Sequence, residues 1–158
     1  MKNTFWKRER IEIMTALALF NYVFLGAEYL FDNMMAFQTD SGGVVLAQSY
    51  VLGSSTVGFL LFGVLDGKMR ERAKKAGSAG AGVLAAVCLW GIQVHQSYGS
   101  TLAAGLILYV LLGIAGSLVH YRAACRYGME EHLAETVGVS YAIGLFLQFL
   151  ENNLIHNA

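Results

Sequence analysis

Every Lys and Arg of this chain lies outside five long apolar stretches, and the five stretches together take up most of its length. They run from about Ile11 to Met34, Val44 to Leu65, Gly77 to Val94, Thr101 to Tyr121 and Leu133 to Leu150. Each approaches the roughly 20 apolar residues that carry a helix across hydrocarbon. Helix is the available form, because a segment surrounded by lipid must satisfy its own backbone donors and acceptors. Hydrophobic residues make up 56% of the chain and charged residues 14%, against about a quarter in soluble domains. A soluble domain of 158 residues has too little interior to hide that much apolar surface. The sequence therefore predicts an all-α polytopic membrane helix bundle with five transmembrane helices, as a single membrane domain over residues 1–158.

The eleven Lys and Arg residues occupy three short stretches. Lys2, Lys7, Arg8 and Arg10 precede the first span. Lys68, Arg70, Arg72, Lys74 and Lys75 follow the second, and Arg122 and Arg126 follow the fourth. Residues 32–43, 95–100 and 151–158 carry none. Cationic flanks are retained in the cytoplasm, so the N-terminus and the hinges at 66–76 and 122–132 are expected inside. Loops 35–43 and 95–100 and the C-terminus are then outside. The short connections make consecutive helices antiparallel neighbours. Five spans followed by only eight residues read as the N-terminal half of a longer protein; the alternative is a complete five-span protein. The first stretch is too long for the apolar core of a secretory signal, and no small-residue cleavage site follows it.

There are 18 Gly and no Pro. Small residues let membrane helices approach closely, and no helix is kinked by a missing amide donor. Asp40 to Gly43 is expected to form a turn in which Gly supplies positive φ. The Gly-rich opening of the third span, Gly77 to Gly82, lacks the Lys-Ser/Thr pair and the preceding strand of a phosphate loop. Close packing through Gly77, Ser78, Ala81 and Gly82 is the expected use. Cys88 and Cys125 fall on different levels, so no disulfide is expected. No spacing of Cys or His suggests a metal, and no cofactor is implied. The basic run from Lys68 to Lys75 lies between two spans, which makes it a topology determinant and an anionic-lipid contact rather than a nucleic-acid site.

Ionisable groups inside a membrane helix are candidate functional residues by default. Asn21, Glu28 and Asp32 are spaced seven and four apart, which places them on one face of the first helix. Glu28 lies roughly 24 Å along the helix from Glu12. A carboxylate there can bind a cation, relay a proton or hydrogen-bond a polar solute; equally, Glu28 and Asp32 can simply reach the outer interface. On the second helix Gln48 and Ser55 share a face beside Gly53, Ser54, Thr56 and Gly58, which suits either small-residue packing or a polar cavity lining. His120 lies below a small-residue seam formed by Gly113 and Ser117. It either titrates near neutral pH or serves as a hydrogen-bonded packing residue. Arg122 and Arg126 are expected to pair with Glu130, Glu131 and Glu135. Ser140, Gly144, Gln148 and Glu151 form one stripe of the fifth helix, with Gln148 expected inside the bundle. No nucleophile, metal ligand set or acid pair in an aqueous cleft emerges, so the chain is not expected to be an enzyme.

The stretch containing Gly63, Leu65, Asp66, Lys68, Arg70 and Arg72 resembles the loop motif between the second and third helices of the major facilitator superfamily. Asp66 and Arg70 match that motif in spacing. Gly63 is one residue too close to Asp66, and Gly67 and Met69 stand where Arg and Gly are usual. Gly113 and Gly116 resemble the Gly-rich fourth helix of that superfamily, without its Pro. Glu28 with Asp32, Gly58 with Gly63, His120 with Arg122, and Gly144 with Gln148 are similar to facilitator-like bacterial membrane halves, some of which are joined to a LuxR-type helix-turn-helix. The resemblance implies a multi-pass protein of the bacterial inner (cytoplasmic) membrane. It implies the first half of a secondary transporter of a small solute, with Asn21, Glu28, Asp32, Gln48 and Gln148 as contacts for solute or proton. Asp66 and Arg70 would form the inner gate. The alternatives are the membrane sensor of a LuxR-type transcriptional regulator and a small structural membrane protein. The expected partners are the lipid bilayer, a small solute or proton, and a C-terminal half or DNA-binding domain beyond residue 158.

Overall fold

The structure is a computed structural model that describes residues 8–67, 71–94, 97–127 and 133–155. Five helices follow one another: α1 (Arg8–Ala36), α2 (Ser41–Asp66), α3 (Glu71–Val94), α4 (Tyr98–Tyr127) and α5 (Leu133–Leu150). A π-helical turn, Glu151–Ile155, continues from α5. No strand occurs among the described residues. All five helices are long and apolar enough to cross a membrane. The fold is all-α, and the chain is a multi-pass membrane protein.

The helices overrun the apolar stretches that announce them. α1 begins at Arg8 rather than Ile11, α3 at Glu71 rather than Gly77, and α4 runs on to Tyr127. A polar turn at a helix end can still make its own backbone hydrogen bonds, so hydropathy marks the hydrocarbon limits and not the helix limits. Asp40 to Gly43 is a correction of a different kind. Asp40 is extended, at φ −73 and ψ 172, and caps α2 by accepting from Gly43 N at 2.8 Å. Ser41, Gly42 and Gly43 are already helical, so neither Gly serves as a left-handed turn residue. The orphan carbonyl of Met35 is met by Gln38 N at 2.9 Å and Thr39 N at 3.0 Å. Ser97 opens α4 in the same manner, with its Oγ beside both Ser100 N and Ser100 Oγ.

The polarity of α5 is that of a helix in lipid. Its buried residues are Thr136, Ser140, Gly144 and Gln148, four apart and on one stripe. Its exposed residues include Ile143, Leu145, Phe146 and Phe149, the two Phe side chains at 58% and 60%. In water this arrangement would invert the usual driving force. Against acyl chains the outward Phe and Leu cost nothing, and the small stripe permits close approach.

Two compact units emerge from the contacts: Met1–Gly26 with Leu118–Ala158, and Ala27–Ser117. In the first, Ile13, Leu17 and Ala123 form a buried cluster with Val119 and Val137 against it. A Cβ on Gly144 would stand 2.8 Å from Asn21 Cβ and 2.9 Å from Ala18 O, so α5 rests on α1 at a glycine.

In the second unit, α2 and α4 touch through glycines. A Cβ on Gly58 would lie 3.0 Å from Gly113 Cα, and one on Gly113 would lie 2.9 Å from the Ser55 carbonyl carbon. Ser54 Oγ, 2.7 Å from Val51 O within its own helix, also reaches Leu106 O on α4 at 3.2 Å. Gly105 leaves room for Phe31 and Val51. Gly53 meets nothing within 4 Å and Thr56 is exposed, so only part of the small-residue run of α2 is used in packing. The small residues of α3 do not behave as expected. Gly77, Ser78 and Gly82 are exposed, and Gly80 and Gly82 have no neighbour within 4 Å.

These contrasts separate two kinds of glycine. Gly58→Val is expected to lower the unfolding free energy, read by detergent titration, by about 1–3 kcal/mol through overpacking. Gly63→Ala, in open space, is expected to leave it unchanged or raise it by up to about 1 kcal/mol through helix propensity.

Candidate functional site

Glu28 and Asp32 stand one turn apart on α1, a spacing at which like charges repel along a helix face. Thr39 and Asp40 end the short connection to α2, which brings the first two turns of α2 back alongside. Gln48 occupies the position opposite both acids. Its Nε2 donates to Glu28 Oε1 at 2.8 Å and to Asp32 Oδ2 at 3.0 Å. A carboxamide nitrogen has two hydrogens, so this arrangement spends both on the acid pair. Asp32 Oδ1 is buried and has no hydrogen-bond partner among the described residues.

The surroundings are aromatic and apolar. Phe31 and Tyr109 are fully buried, with ring centroids 6.4 Å apart at 66°. Tyr109 lies within electrostatic reach of both Glu28 and Asp32. Ala47 and Val51, flanking Gln48 on α2, are also fully buried. Beyond the pair, Gln38 Nε2 donates to Thr101 Oγ1 at 3.0 Å and ties the end of α1 to the start of α4. No Lys or Arg occurs between Arg10 and Lys68 or between Lys75 and Arg122. The helices that carry and enclose the acid pair thus offer it no cationic side chain over their spanning lengths. A proton or an external cation can supply the missing positive charge.

The candidate residues fall into two groups. Glu28, Asp32 and Gln48 come together in the unit Ala27–Ser117. Asn21 and Gln148 belong to the other unit, where both are buried in the seam between α1 and α5. Gln148 Nε2 donates to Asn152 Oδ1 at 3.2 Å. His120 packs edge-to-face on Phe20, centroids 6.0 Å apart at 89°. The side chain of Asp66 and the whole of Arg70 lie outside the described residues, as do Glu130, Glu131 and the side chain of Arg126. Arg122 is exposed. Among the described residues no group of three His, Cys, Asp or Glu side chains gathers as a metal site.

Tyr109 and Arg10 are the residues that sequence reasoning passed over. Tyr109 sits in an aliphatic run, four residues after Gly105, and that glycine spacing is the one available hint that a large ring turns inward there. Arg10 is 3% exposed, although its position at the head of a cationic flank reads as solvated. Comparison of the chain with protein-family models, with curated proteins and with solved structures gave no match.

Gln48→Leu removes the donor shared by both carboxylates. It is expected to cost about 1–3 kcal/mol of stability in detergent titration, through loss of the donor shared by two half-buried carboxylates. Gln48→Glu adds a third acid and is expected to cost more.

Proposed function

We propose that the chain is a facilitator-like protein of a bacterial cytoplasmic membrane. In this reading it carries a small solute by alternating access, coupled to a proton or small cation at Glu28, Asp32 and Gln48. The observation that carries the reading is the acid pair itself: two carboxylates share one amide donor, with no cationic side chain on the neighbouring spans. Carboxylates in membrane helices are costly, and where they occur they mark ion and proton pathways. The cationic flanks support an N-terminus and residues 66–76 on the cytoplasmic side. The acid pair, near the far end of α1, then lies toward the outer surface. Gln48 is suited to a carrier because it holds the acids by neutral hydrogen bonds. A charged partner would fill the site permanently, whereas an amide leaves the charge to be supplied and withdrawn. Asp66 and Arg70 take the inner-gate role that the facilitator resemblance implies for them.

The test is ion flux into proteoliposomes containing the full chain and an internal pH indicator. An imposed pH gradient is expected to drive acidification at least tenfold faster than in protein-free vesicles, and Glu28→Gln or Asp32→Asn returns the rate to that background. A sodium gradient, read with a sodium indicator, separates a metal cation from a proton. Flux in both variants equal to that of the unmodified chain removes the acid pair from the mechanism.

A further inference from the structure

The seam between α1 and α5 holds a second set of polar groups, with Glu151 hydrogen-bonded to Tyr22 at its end. Asn21 is 6% exposed and Gln148 is 8% exposed. Asn21 Nδ2, a donor, and Gln148 Oε1, an acceptor, are both buried and have no hydrogen-bond partner among the described residues. The other end of the Gln148 amide is engaged, through Nε2, by Asn152 Oδ1. Glycine contacts put the two loose ends in one seam. A Cβ on Gly144 would stand 2.8 Å from Asn21 Cβ, and a Cβ on Gly26 would stand 3.3 Å from Gln148 Oε1. Residue numbers rise together along both helices, from Asn21 to Gly26 and from Gly144 to Gln148, so the two run parallel here.

The chemistry of the two ends selects the occupant. A cation satisfies Gln148 Oε1 and opposes Asn21 Nδ2; an anion does the reverse. A group that accepts at one end and donates at the other satisfies both, and water is the smallest such group. Contacts of 2.8 Å for a Cβ at Gly144 and 3.3 Å for one at Gly26 make the seam narrow at those two points. Buried waters in proteins sit where polar atoms otherwise lack partners. We infer that ordered water occupies the α1–α5 seam, accepting from Asn21 Nδ2 and donating toward Gln148 Oε1. Gln148 and Asn152 extend this into a hydrogen-bonded path from the π-helical turn to the middle of α1. The site is independent of the acid pair and of any carrier role.

The experiment is a water-to-amide cross-relaxation measurement on the full chain, labelled with 15N-asparagine and held in lipid nanodiscs. A peak between water and the Asn21 side-chain amide, weakened at least twofold by Gln148→Met, is expected. Absence of the peak in the unmodified chain overturns the inference, as does a peak that Gln148→Met leaves unchanged. Thermal midpoints give a second reading should that variant fold poorly. With water in the seam, Asn21→Leu and Gln148→Met each lower the midpoint and the double variant recovers most of the loss. If both single variants raise the midpoint and their effects add, the seam is dry and the inference fails.

Discussion

Lipid supplies no hydrophobic drive for one helix to prefer another helix over acyl chains. What remains is how closely two backbones approach and which polar groups they satisfy when they do. The contacts of this chain follow that constraint. α2 meets α4 where Gly58 faces Gly113, with Ser54 Oγ reaching across to Leu106 O. α5 meets α1 where Gly144 faces Ala18 and Asn21. The large side chains of α5 point the other way, toward the surroundings. Without Gly at these points the helices would stand further apart, and the polar groups beside them would lose their geometry.

The acid pair depends on the same logic. Gly105 makes room for Phe31, and Phe31 with Tyr109 fills the space beside Glu28 and Asp32. That packing leaves both acids half-buried, and partial burial raises the value of each hydrogen bond they accept. Gln48 then becomes the group that decides how the pair is held. Neutral amides recur at two buried or half-buried polar places, Gln48 in one unit and Asn21 with Gln148 in the other. Positive charge stays at the helix ends and hinges.

Much of this was legible in the sequence because hydropathy and charge segregation act over whole helices. The five spans, the facing of Glu28 and Asp32, and the inward stripe of Ser140, Gly144 and Gln148 all follow from spacing alone. What the sequence hid depends on particular partners. Nothing in the spacing of α3 says that Gly80 and Gly82 meet nothing within 4 Å among the described residues while Gly58 and Gly113 find each other. Periodicity put Asn21 on the face of Glu28, but a long helix serves different neighbours at different heights, and Asn21 answers to α5. Asp40 to Gly43 carries the composition of a free turn, yet the Asp40 carboxylate captures Gly43 N and starts a helix. Local side-chain capture of this sort is decided by one hydrogen bond and not by composition.

The inverted polarity of α5 is the claim on which the membrane reading rests, and nitroxide scanning of residues 143–149 in bilayers tests it most directly. The account predicts that labels at Phe146 and Phe149 relax through dissolved oxygen and are shielded from a water-soluble nickel chelate. Labels at Gly144 and Gln148 should be shielded from both. Strong relaxation by the nickel chelate at Phe146 and Phe149, or no contrast between the two faces, would contradict it.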